Sequence, residues 1–341
     1  MSAQASITIG GQVIKPGQQQ TIDLVVGRLY THNEVTMPVQ VIHGKEPGPT
    51  LFVCAAIHGD EINGVEIIRR LLKTPALKKI KGTLLAVPIV NVHGFINKSR
   101  YLPDRRDLNR SFPGSKTGSL AARLADLFMR EIVSKATHGI DLHSGANHRC
   151  NLPQIRANLD DNATLELATA FGIPVLLNSE IRDGSLRQAA TDFGIPILVY
   201  ESGEALRFDE LSARNGVSGI IRVMRYLGML PHKTTGNRKH IKPVIARSST
   251  WVRTPESGIL RMRIRLGAHV KKGDRLAVVA DPFGGKENIV ISPNTGIVIG
   301  MNNLPLVNEG EAVIHLARFE NSHDVAAKVE ELQDFEEQIF F

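Results

Sequence analysis

Two hydrophobic rhythms run along the chain. Over residues 1 to about 47, apolar residues fall in short alternating stretches, such as Thr21-Ile22-Asp23-Leu24-Val25-Val26 and Met37-Pro38-Val39-Gln40-Val41-Ile42, cut by Gly and Pro. This patterning predicts antiparallel strands at a sheet edge. Leu51 to Ile57 and Thr83 to Val90 are instead continuous apolar runs, the mark of strands covered on both faces. Between them Glu61 to Lys73 has helical periodicity, and strand, helix, strand predicts an α/β core.

An Arg- and Asp-rich loop, Asn97 to Gly114, precedes a helix from Ser119 to about Lys135, with Leu120, Leu124, Leu127, Phe128 and Ile132 at helical spacing and Ser119 as N-cap. A short strand, Gly139 to Leu142, runs straight into His143-Ser144-Gly145. Helices near Leu165 to Phe171 and Ser185 to Phe193 alternate with strands at Ile173 to Leu177 and Ile195 to Tyr200, the latter ending in Glu201-Ser202-Gly203-Glu204. A long helix from about Asp209 to Leu230 closes this part.

Pro231 to Lys242 is polar, basic and aperiodic, and reads as a linker. Beyond it an internal repeat appears. Pro255-Glu256-Ser257-Gly258-Ile259-Leu260 matches Pro293-Asn294-Thr295-Gly296-Ile297-Val298, and Val270-Lys271-Lys272-Gly273-Asp274-Arg275-Leu276 matches Val307-Asn308-Glu309-Gly310-Glu311-Ala312-Val313. Two copies of a strand and turn unit predict a small pseudo-symmetric β-domain over 243–323. The tail, Asp324 to Phe341, reads as helical and acidic.

Composition narrows the class. The 341 residues are 42% hydrophobic and 22% charged, which fits a globular chain with one large core and a smaller module. No apolar run approaches the ~18 residues of a membrane span, and the N-terminus lacks a basic and then apolar leader, so a cytoplasmic protein away from membranes is expected. Two unpaired-looking cysteines, Cys54 and Cys150, argue against a disulfide framework or a cysteine zinc site. A net charge of +7 with 5% aromatic residues and no nucleic-acid motif favours a small anionic substrate over nucleic acid.

The candidate chemistry begins at the seam after the first buried strand. His58 and Glu61 lie three residues apart, and on a first helical turn that spacing puts both on one face. An imidazole and a carboxylate so placed can grip one zinc ion, with room for a third protein ligand and a reactive water. HxxE arises often by chance. The case strengthens because His58, His143 and Glu201 each follow on a predicted strand end, where open α/β sheets gather ligands.

Taken together, His58-Gly59-Asp60-Glu61, Asp107-Leu108-Asn109-Arg110, Asp141-Leu142-His143 and Glu201-Ser202-Gly203 resemble the succinylglutamate desuccinylase and aspartoacylase family, within the zinc carboxypeptidase-like hydrolases. The motifs span about residues 48 to 230, and the repeat segment fits the family's layout. The resemblance implies an α/β fold with a mixed sheet flanked by helices and a smaller C-terminal all-β barrel-sandwich domain. It implies one zinc ion per chain held by His58, Glu61 and His143, with Glu201 as general base. Arg100 would stabilise the oxyanion, with Arg105 and Arg106 as competitors for that role. Asn109 and Arg110 would clamp the substrate carboxylate, for which a planar guanidinium is suited. Asp60 is expected to support the ligands or cap the helix. Aspartoacylase draws a substrate-binding tyrosine from its C-terminal domain, whereas Tyr30, Tyr101, Tyr200 and Tyr226 all lie outside the repeat segment.

The expected activity is removal of an acyl group from an N-acyl amino acid or a similar small amide bearing a free carboxylate. A carboxypeptidase acting on a short or acidic peptide would use the same site. A binding or carrier protein is the rival from another class, since the repeat resembles biotinyl and lipoyl carriers; Lys286, in Gly284-Gly285-Lys286-Glu287-Asn288, lacks the expected carrier context. Arg149, Asn151, Arg156 and Arg187 are candidates for shaping specificity, against the commoner role of solvated loop residues. His93, His138, His148, His232 and His240 have no matching role, and a homo-oligomer is left open by the sequence.

Overall fold

The N-terminal alternation produces strands. In the computed structural model, which describes residues 4–146, 148–179, 182–232 and 242–337 (backbone alone for 334–337), β1 (Ile7–Ile9) pairs with β2 (Gln12–Ile14). β3 (Gln19–Arg28) pairs antiparallel with β4 (Glu34–His43), where Val35, Met37, Val39 and Val41 point inward in alternation. The continuous apolar runs become β5 (Thr50–Ala55) and β6 (Thr83–Val87), parallel neighbours joined through α1 (Asn63–Leu72). There follow α2 (Val92–Ile96), α3 (Leu120–Glu131), β7 (His138–Gly145), β8 (Arg149–Ala157), α4 (Asn162–Phe171), β9 (Val175–Asn178), α5 (Leu186–Asp192), β10 (Ile197–Glu204) and α6 (Glu210–Tyr226). Ser119 caps α3 as expected, its side chain accepting from Ala122 N–H, and Asp209 caps α6 in the same way from Ser212 N–H.

Residues 242–318 form strands alone: β11 (Val244–Ala246), β12 (Ser248–Arg253), β13 (Gly258–Met262), β14 (His269–Val270), β15 (Arg275–Ala280), β16 (Glu287–Ile291), β17 (Gly296–Asn302), β18 (Leu306–Val307) and β19 (Ala312–Arg318). α7 (Ser322–Glu337) closes the described chain, burying Val325 and Val329 against Ile297 and Ile299 of β17. Most of the expected linker, residues 233–241, and the end of the acidic tail, 338–341, lie outside the described residues.

One large mixed sheet organises these elements, in the order β12-β19-β17-β8-β10-β7-β5-β6-β4-β3, with β3 at its edge. Its centre, β10-β7-β5-β6, is parallel. After β5 the chain adds β6 on one side and later β7 on the other, so the end of β5 is a topological switch point, where such sheets leave a crevice. Helices cover both faces. Ile67 of α1, Leu167 of α4 and Ile220 of α6 pack with Val53, Leu142 and Leu198 on one side; Leu124 and Phe128 of α3 and Leu186 of α5 pack with Phe52 and Cys54 on the other.

Two expectations change. α1 starts at Asn63, with Ile62 at its N-cap and no side-chain cap, so His58 and Glu61 sit in a turn before the helix, closed by Glu61 N–H to the His58 carbonyl at 3.1 Å. The C-terminal strands also extend the large sheet: β17 pairs antiparallel with β8, and β8 with β10. A separate four-stranded sheet, β16-β15-β13-β18, completes the repeat segment. β8 escaped the sequence reading because RCNLPQIRA contains Pro153 and polar residues, which resemble a loop. Its arginines therefore stand on a central strand.

The turn that carries the first two site residues is wedged against α2. A Cβ on Gly59 would lie 2.0 Å from the Gly94 carbonyl carbon and 2.2 Å from Phe95 N, so backbone meets backbone there. Gly59→Ala is expected to lower stability by about 1–3 kcal/mol through this overpacking, read as the urea midpoint of the purified variant. An unchanged midpoint would show that the turn has room to move.

Candidate metal centre and active site

His58 follows β5, Glu61 closes the turn, and His143 stands near the end of β7. All three are buried, and one donor atom from each lies within 4.8 Å of the others. Glu61 sits between the rings, with Oε1 2.8 Å from His58 Nδ1 and Oε2 2.8 Å from His143 Nδ1. The Ser144 N–H also donates to Glu61 Oε2, at 3.1 Å. The far ring nitrogens are held as well: His58 Nε2 is 3.1 Å from Asp107 Oδ1 and His143 Nε2 is 2.7 Å from Asp141 Oδ2. The Cys54 thiol donates to the other Asp141 oxygen at 3.4 Å.

The charges account for the pKa directions. Burial opposes ionisation of every member, yet Glu61 and Asp107 raise the His58 imidazole, and Asp141 and Glu61 raise that of His143 well above its usual value. Against the same burial, the two histidines hold the Glu61 carboxylate well below the usual range, and His58 with Arg100 does so for Asp107. Arg100 completes the cluster, its Nη1 3.3 Å from Glu61 Oε1 and its Nη2 3.0 Å from Asp107 Oδ2.

This donor set fits a divalent cation. Three carboxylates touch the two imidazoles, and one guanidinium offsets one of the negative charges. The remaining two are balanced either by a proton on each ring or by one dication. Ligation through Nδ1 of both rings and a Glu61 oxygen leaves each Nε2–H on its carboxylate, the arrangement that fixes metal-binding histidines. Two histidines and a carboxylate are a zinc donor set with an open position.

Glu201 lies on β10 directly beside His143 of β7 in the parallel register. Asn151 Nδ2 donates to its Oε2 at 2.8 Å, and Arg156 Nη1 lies 3.8 Å from its Oε1. Asn109 spends its side-chain carbonyl on Leu186 N–H at the start of α5, at 2.9 Å, while Arg110 is exposed and donates to the Asn109 carbonyl. Arg105 and Arg106 are exposed, and Arg106 pairs with Asp104 at 3.8 Å; of the three arginines considered for the oxyanion, Arg100 is the one that touches the cluster.

Comparison with known proteins decides the family. The succinylglutamate desuccinylase/aspartoacylase catalytic domain matches residues 47–227. The chain belongs to this family. It is 28% identical over 265 residues, 72% of this chain and 75% of that protein, to the N-alpha-acetyl-L-2,4-diaminobutyric acid deacetylase of Halomonas elongata. Among solved structures, the product-bound ectoine utilization protein EutE (DoeB) of Ruegeria pomeroyi superposes with a TM-score of 0.80 at 26% identity, covering 92% of this chain and 98% of that one. A succinylglutamate desuccinylase/aspartoacylase of Rhodobacter sphaeroides shares the fold, with a TM-score of 0.79 at 24% identity over 90% and 97% of the two chains. No helix among the described residues is long and apolar enough to cross a membrane.

The structure departs from the sequence reading at the supporting shell of this family member. Asp60 neither caps α1 nor touches the histidines, and its Oδ1 is buried without a hydrogen-bond partner. The supports are Asp107 and Asp141. Asp141 was legible in principle, because residues two apart on a strand share a face. Arg182 went unnoticed; its exposed side chain lies within electrostatic reach of Arg110, Arg156 and Glu201. Asp107→Asn and Asp141→Asn are each expected to weaken metal binding about 10–100-fold, measured by competition with a chromogenic chelator. Unaltered affinity in both would remove them from the metal centre.

Proposed function

We propose that the chain is a zinc-dependent amidohydrolase that removes the acyl group from an N-acyl amino acid or a similar small carboxylate-bearing amide. The observation that carries this reading is the buried His58–Glu61–His143 donor set, oriented by Asp107 and Asp141 beside Glu201. The fold is proposed to be zinc carboxypeptidase-like. Its catalytic unit spans 48–230, with residues 1–47 at its edge, and the barrel-sandwich repeat, 243–323, is a scaffold at the mouth of the site. One zinc ion per chain would be held by His58, Glu61 and His143. When bound, zinc supplies a Lewis acid for an amide carbonyl and brings a water's pKa towards about 7.

The chain's own residues carry the remaining work. Glu201, oriented by Asn151, takes the proton of the attacking water and returns it to the departing amine nitrogen. Arg100 faces the cluster and stabilises the negative charge that develops on the carbonyl oxygen. Asn109 and Arg110 hold the substrate carboxylate, which places the amide at the metal centre. The Halomonas deacetylase supports an N-acyl amino acid over a peptide as substrate.

Glu201→Gln is expected to keep its zinc and lose about 10²–10⁴ in kcat, whereas His58→Ala or His143→Ala should lose metal and activity together. These are read by metal analysis beside hydrolysis of a panel of N-acyl amino acids and dipeptides. Full activity in Glu201→Gln, or a wild type that turns over dipeptides alone, would overturn the assignment. Arg110→Ala is expected to raise KM for substrates with a free carboxylate by about tenfold or more. Equal harm to the corresponding carboxamide would remove the clamp role.

A further inference from the structure

Asn151, the hydrogen-bond donor to Glu201, lies where two irregularities of the sheet meet. Between Glu201 and Gly203, β10 advances two residues while β8 advances three, from Gln154 to Asn151. Between Val298 and Gly300, β17 advances two residues while β19 advances one, from Leu316 to His315. Bulges of this kind re-aim side chains beside active sites. One buried side chain knits the two together: Gln154 Nε2 donates to the Leu152 carbonyl in the first bulge at 3.3 Å and to the Ile299 carbonyl in the second at 3.1 Å.

The strands on either side of Asn151 both present glycine to it. Gly203 of β10 and Gly300 of β17 are its direct partners in the two antiparallel ladders. Gly203 places no side chain across from Asn151, and the amide reaches diagonally to Glu201 Oε2, with Nδ2 at 2.8 Å. A carboxylate can only accept, so the amide nitrogen faces Glu201 and the amide oxygen is turned away from it. That oxygen meets Gly300, where a Cβ would lie 3.0 Å from Asn151 Oδ1.

The wall behind Gly300 is fixed. The same Cβ would lie 3.2 Å from His315 Cβ, so it has no retreat towards β19. The His315 ring is stacked on Trp251, with centroids 4.4 Å apart and planes within 6°, and the Arg149 guanidinium lies 5.0 Å over the Trp251 ring. Asn151 is buried, and the Arg156 Nη1 at 3.8 Å from Glu201 Oε1 is beyond hydrogen-bond length. The direction of the Asn151 amide therefore bears directly on the direction of the Glu201 carboxylate.

We propose that Gly300 is a positioning residue for catalysis: it backs the Asn151 amide at contact distance and so sets the hydrogen bond that orients Glu201. The repeat segment thereby takes part in turnover, as the wall behind the general base. This rests on the deacylase reading, in which Glu201 is that base. The effect of Gly300 passes through Asn151, so it falls on turnover and spares the metal.

The test is a double-mutant cycle of Gly300→Ala and Asn151→Ala in the full zinc-loaded chain. It is read as kcat and KM on the N-acetyl amino acid that wild type turns over fastest, with zinc content measured beside them. Each single variant should lower kcat about tenfold, because small misplacements of a catalytic group are costly. KM and zinc content should stay within about twofold of wild type. The double variant should be no slower than Asn151→Ala, because the crowded oxygen is gone. Losses that multiply, a zinc content that falls with kcat, or an unaltered kcat in Gly300→Ala would overturn the proposal. Should Gly300→Ala alone fail to fold, the double variant carries the comparison with Asn151→Ala, and failure of both to fold would make Gly300 a packing residue and overturn the role. If wild type hydrolyses no N-acyl amino acid, the deacylase reading falls, and crystal structures decide the positioning: a Glu201 carboxylate shifted in Gly300→Ala supports it, and an unmoved one overturns it.

Discussion

The site depends on a balance of charge in a space from which water is largely removed. Three buried or half-buried carboxylates surround two imidazoles, and Arg100 pairs with two of the carboxylates, Glu61 and Asp107. An uncompensated charge in such surroundings costs several kcal/mol, so the set requires two further positive charges. Protons on both rings supply them in one state and a single dication supplies them in another. In the proposed zinc reading that equivalence would tie metal affinity to pH, because ligation must displace the ring protons.

The sheet sets the geometry within which this balance is struck. The crevice at the switch point of β5 receives the turn with His58 and Glu61, while β7 and β10 bring His143 and Glu201 side by side. On the far side of β10, β8 reverses direction and passes the ladder to β17 and β19. The repeat segment is therefore hydrogen-bonded into the active-site sheet. Residues of β17 and β19 hold a fixed position relative to Glu201 through strand pairing alone, with no loop between them.

Much of the centre was legible because its chemistry is local. His58 and Glu61 are three residues apart, and Asp141 and His143 are two apart on one strand, so the spacing keeps each pair together although the sequence reading gave Asp141 no supporting role. The turn conformation was not legible: the periodicity of Glu61 to Lys73 runs smoothly into α1, and nothing in it shows that Asp60 fails to cap Asn63. β8 was hidden because a strand facing a polar site loses the apolar alternation by which strands are recognised, and Pro153 reinforces the loop reading. The pairing of β17 with β8 and with β19 was not legible either, because contacts between distant strands are encoded by no short motif.

The most direct measurement is crystallographic: anomalous diffraction at the zinc edge from the zinc-loaded protein. One peak per chain is expected, within about 2.0–2.2 Å of Nδ1 of His58, Nδ1 of His143 and a Glu61 oxygen, with Asp107 and Asp141 retained on the Nε2 atoms. A peak elsewhere, or no peak from protein that had been offered zinc, would contradict the account.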